Sequence, residues 1–160
     1  MKRQASIGTI ALTAILVLAN CGASSFATQL RVILSASTPL IESLNLGDKK
    51  AAVIADFADL ASGAATLSDD LKACTDKPCK ITAIERYEVR FWDIQRRGHF
   101  KLSPKLQNVE NIVAGIIQSA KLYYGVPIKA SRSSGPVPAA NPAKELSDKL
   151  SELKTAMRVK

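Results

Sequence analysis

A single histidine, one tryptophan and three cysteines in 160 residues leave few routes to side-chain chemistry. A nucleophilic triad needs a base, and His99 is the only imidazole in the chain. A structural zinc site takes four Cys or His ligands, more than this spacing supplies. No Glu-x-x-His pair marks a di-metal site between helices. No glycine-rich phosphate loop or dinucleotide fingerprint occurs. Runs alternating apolar and polar are also absent, apart from an ambiguous stretch at 30–34, so sheet architectures are not expected. These absences predict a protein with no catalytic set, no metal and no cofactor, and set against an enzyme.

What the chain does have begins at its N-terminus. Met1-Lys2-Arg3 precedes an apolar run from Ile7 to Ala19. At about 20 residues needed to cross a bilayer, this run is too short, and Gly8, Thr9 and Thr13 dilute it. A basic start, a short apolar core and a small-residue exit define a secretory signal, expected over residues 1–20.

Near the exit, Leu18-Ala19-Asn20-Cys21-Gly22 resembles the lipobox of bacterial lipoproteins. Leu18 and Ala19 match their positions, while Asn20 stands where that class prefers Gly, Ala or Ser. The resemblance covers residues 1–22 and implies cleavage before Cys21, with lipid carried on that residue. It further implies a cell-envelope protein, on the outer membrane facing the periplasm if the host is Gram-negative. A second exit competes: Ser25-Phe26-Ala27 has the small-x-small form, and cleavage after Ala27 yields a soluble periplasmic or secreted protein. Both routes export the chain.

Export places Cys74 and Cys79 in an oxidising compartment, where Cys74-Thr-Asp-Lys-Pro-Cys79 reads as a local disulfide pinning a helix-helix corner. The formal charge is +8. It becomes +6 once Lys2 and Arg3 leave with the signal. That balance favours anionic lipid or an acidic envelope polymer, or simply a soluble basic surface. Nucleic acid is not an expected partner of an exported protein.

The remainder is helical in pattern. Residues 21–37 form a tether and a candidate first helical segment, apolar at Leu30, Ile33 and Leu34. Thr38-Pro39 then reads as a cap followed by proline at the first helical position. Within 49–72, Val53, Phe57, Leu60, Ala64, Leu67 and Leu71 alternate steps of four and three, which is one helical stripe. The Cys74–Cys79 corner with Pro78 ends it. A second stripe, Ile84, Tyr87, Phe91 and Ile94, predicts a helix from about 81 to 97, with Asp93 and Arg97 paired on its wet side and Gly98 as its stop. Ser103-Pro104 opens a third, with Leu106, Val109, Val113, Ile116, Ala120 and Tyr123 on its stripe. Residues 126–141 are a Pro- and Ser-rich linker. Asn141-Pro142 starts a last helix whose Leu146, Leu150, Leu153 and Met157 form a narrow seam. That seam is expected to fold back onto residues 38–125, with docking to a partner chain as the alternative. Together these elements predict an all-α protein, an antiparallel bundle of four to five amphipathic helices.

Four residues stand out as candidate anion contacts: Arg96, Arg97, His99 and Lys101, in a basic loop between two helices. Their other reading is positive side chains complementing a helix C-terminus. Tyr87, Phe91, Trp92 and Tyr123-Tyr124 either fill the core or line a groove. The functional expectation is a lipid-anchored, non-enzymatic envelope protein that meets an unidentified protein partner. The alternative is a secreted helical hydrolase, for which a cleft with two carboxylates would be the sign, or a soluble assembly subunit.

Overall fold

Apolar residues recurring every three or four positions can bury one stripe only by packing helix on helix. The computed structural model describes residues 24–126 and 141–158, and every regular element in it is helical. The helices are α1 (Ser24–Ser35), α2 (Thr38–Glu42), α3 (Lys50–Ala73), α4 (Lys77–Arg96), α5 (Pro104–Tyr123) and α6 (Pro142–Ala156). Cys21 and nearly all of the 126–141 linker lie outside the described residues.

The three long stripes are where the spacing predicts them. Val53, Phe57, Leu60, Ala64, Leu67 and Leu71 of α3 are buried, as are Ile84, Tyr87, Phe91 and Ile94 of α4. One continuous apolar core also takes in Leu30 and Leu34 of α1 and the whole α6 seam, Leu146, Leu150, Leu153 and Met157. The last helix therefore folds back within its own chain. Gly47–Ala73 is long and apolar enough to cross a membrane by composition alone, but half of its apolar window is buried by this packing.

Contacts at two registers each show α3 and α4, and α4 and α5, running in opposite directions. Thr28 of α1 meets Ser68 of α3 at 2.8 Å. Asp56 and Asp70 of α3 meet Arg97 and Arg86 at the far and near parts of α4. Glu88 of α4 holds Lys121 of α5, and Gln95 holds Glu110. Lys149 of α6 lies over Gly115 of α5. The helices thus share two ends. One carries the start of α1, the α3–α4 corner, Gly125 and the start of α6. The other carries the start of α3, the α4–α5 corner and the end of α6.

At the first end, Cys74 and Cys79 are joined, with sulfurs 1.96 Å and Cα atoms 5.5 Å apart. Asp76 caps α4, its carboxylate accepting from the Cys79 N–H at 2.8 Å. Pro78 thus lies in the first turn of α4 and opens that helix, which begins four residues earlier than the apolar spacing suggests. Proline fits there because its missing N–H has no helical partner to lose. Midway along, α3 and α4 approach closely at Gly63. A Cβ at that position would stand 2.9 Å from Arg90 Cδ and about as near to the Tyr87 ring.

Three local expectations need correction. Thr38 is inside α2 and not its cap; Ser37 precedes the helix in a helical conformation and makes no side-chain cap bond, so the chain turns there without one. Tyr123 is exposed and Tyr124 buried. Both follow Ala120 at a permitted step, and the turn ending α5 brings the second one inward. Arg97 does not pair with Asp93, which Arg96 takes instead. Arg97 sits past the last turn of α4 and reaches a buried carboxylate on α3.

Candidate functional site

That carboxylate is Asp56. It occupies an apolar position, three residues after Val53 and four before Leu60, and its side chain is only 3% exposed. An isolated buried carboxylate is costly, so it must be paired or hydrogen-bonded. Arg97 Nη1 donates to Oδ1 at 2.7 Å, and His99 Nδ1 shares a hydrogen bond with Oδ2 at 2.7 Å. The same Arg97 nitrogen reaches Asp59 Oδ2 at 3.1 Å, and Arg90 stands 3.7 Å from Asp59 Oδ1. Hydrogen bonds to Asp56 and then to Asp59 push the Arg97 guanidinium still higher above its ordinary range.

The geometry follows from the chain around the α4–α5 corner. Gly98 takes a left-handed φ of 78°, which stops α4 and starts a short 3-10 turn over His99–Leu102. That conformation favours glycine because a Cβ there would crowd the backbone. The turn drops Phe100 into the core against Phe57, ring centroids 5.7 Å apart. Phe100 and the two side chains on Asp56 together fasten the corner to α3.

The four candidate anion contacts therefore part company. Exposed Arg97 and half-buried His99 both reach in to the protein's own Asp56, which is the anion they grip. Arg96 pairs with exposed Asp93, and Lys101 is exposed. Asp56 with His99 reproduces the orienting half of a hydrolytic triad, in which a carboxylate holds Nδ1 and leaves Nε2 free. Among the described residues, no hydroxyl or thiol is hydrogen-bonded to His99. Asp56 and Asp59 both accept from Arg97, so the pair is held as a cation's acceptors. The arrangement locks the α4–α5 corner to α3.

Elsewhere, Asp69 and Asp70 engage Lys72 and Arg86. No group of three His, Cys, Asp or Glu among the described residues could hold a metal ion. Tyr87 and Phe91 are core, whereas Trp92 is 37% exposed and stacks edge-on against Phe91 at 5.1 Å. A shallow groove of about 180 Å³ between α3 and α4 is lined by Gly63, Tyr87, Arg86 and Arg90. A larger one of about 490 Å³ runs between α1, α2 and α3 over small residues such as Ala58, Ala61 and Ala65. Asp56 is missed when residues are sorted by type alone. Its signal is positional, an acid inside an apolar stripe.

Comparison of the chain with known protein families, curated proteins and solved structures finds no match.

Proposed function

We propose that this chain is an exported envelope protein, tethered to a membrane by lipid on Cys21 and acting by binding or structural support. Its scaffold is an antiparallel helical bundle pinned by the Cys74–Cys79 disulfide and the Asp56 corner. On an outer membrane it faces the periplasm. One observation carries the choice between the two signal exits. Phe26 and Ala27 are buried, at 5% and 0% exposure, inside α1, and Thr28 is bonded to α3.

Cleavage after Ala27 would remove the first turn of α1 and take Phe26 out of the core. Cleavage before Cys21 leaves α1 whole. It also leaves only two residues, Gly22 and Ala23, between the lipid-bearing Cys and the helix, a reach of about 11 Å at most over three backbone steps. Several acyl chains, as on bacterial lipoproteins, would then hold the bundle firmly.

The test is detergent phase partitioning of the protein as its host makes it, against a Cys21→Ser variant. Wild type should enter the detergent phase and the variant the aqueous phase or remain unprocessed. Wild type in the aqueous phase would refute the tether.

A further inference from the structure

Cations in this protein are not spread evenly over its ends. Lys49, Lys50, Lys101, Lys105, Lys154 and Arg158 come from separate parts of the chain, and all six lie at the end formed by the start of α3, the α4–α5 corner and the end of α6. All but the half-buried Lys50 are exposed. No carboxylate among the described residues is in ion-pair distance of any of them. Of the acids at this end, Asp56 and Asp59 are taken by Arg97, Asp93 by Arg96, Glu110 by Gln95 and Glu152 by Lys149, which leaves exposed Glu42 and Asp48 unpaired. At the opposite end most cations are already answered: Lys72 by Asp69, Arg86 by Asp70, Lys121 by Glu88 and Lys144 by Asp148.

We propose that this cationic end is the docking surface for an anionic polymer of the envelope, such as an acidic glycan. The inference rests on the tether proposed above, because the tether decides the occupant. The start of α1 is at the opposite end, and α4, with 20 residues, spans about 30 Å between the two. Anionic headgroups of the anchoring bilayer act over about 8 Å at physiological salt, so they do not reach the cationic end. That end faces away from its own membrane. Five of the six cations are lysines, compact hydrated charges on flexible stems, suited to a repeating anion more than to one bidentate site.

The experiment uses the full-length mature protein reconstituted in phosphatidylcholine vesicles, with polygalacturonate as probe. Wild type should bind it, and more weakly as salt rises. Lys101→Glu with Lys105→Glu should weaken binding about tenfold, and Lys154→Glu with Arg158→Glu on a different helix should do the same. Lys77→Glu with Lys80→Glu, an equal charge change at the tethered end, should leave binding within about twofold. Thermal unfolding of each variant confirms that it is folded.

Equal losses from all three pairs would reduce the effect to net charge and overturn the proposal, as would no loss from the first two. Preference of the same end for added phosphatidylglycerol vesicles over the polymer would make the occupant a lipid surface, which also overturns it. The mass of Cys21 in the same preparation is read separately. An unmodified Cys21 refutes the tether, whatever the polymer arms return.

Discussion

At Asp56 a buried charge is held by two donors from the far side of a helix corner. His99 supplies one of them and is itself only about a quarter exposed. Losing a hydrogen bond to a buried charged group costs about 1–3 kcal/mol. His99→Ala should therefore lower unfolding stability in urea by that amount with an unchanged denaturant slope. Tyr87 presents the opposite case. Its hydroxyl is buried with no hydrogen-bond partner among the described residues, and burial pushes its ionisation well above the ordinary tyrosine range. Tyr87→Phe removes an unsatisfied group of nearly the same shape, so stability at neutral pH should stay the same or rise. In the folded state the phenol stays protonated, while in the unfolded chain it ionises near pH 10. Its contribution is complete below that pH and is lost as pH rises toward the folded value. Alkaline unfolding followed by circular dichroism should accordingly show a shallower loss in Tyr87→Phe than in wild type. Residue type alone does not reveal either role. Asp56 and Tyr87 differ from their neighbours only in where the helical period puts them.

Elements were legible to the extent that their stripes were long. The α3 stripe spans about five turns and the α4 stripe about three, and their burial follows the three-four spacing directly. Helix starts were harder, because a start is set by a single cap and not by a period. Asp76 caps α4 through the Cys79 N–H ahead of its first apolar stripe residue. The α6 seam is narrow, and its burial depends on α5 and α1, so only packing decides it. Replacing Cys74 and Cys79 by Ser should cost about 2 kcal/mol, since the closed loop is small, read as a lower urea midpoint. Phe26→Ala should cost about 3–5 kcal/mol. Wild-type stability in that variant would mean α1 begins after Phe26, which would remove the argument for retaining it.

On the scale of the whole molecule, helix direction and charge placement give the protein two unlike ends. One carries the start of α1 and the disulfide corner. The other gathers lysines that no internal acid answers. Their existence could not be read from net charge, because the same +8 can be scattered or gathered; only the antiparallel registers bring residues 49, 101, 105, 154 and 158 together. The lipobox resemblance lies wholly in the segment before α1, and the burial of Phe26 and Ala27 connects it to the fold. Intact mass spectrometry of the membrane-extracted protein tests that connection most directly. The expected result is a chain beginning at Cys21, with acyl mass on that residue and Cys74 and Cys79 oxidised. An unmodified chain beginning at Thr28 would contradict it.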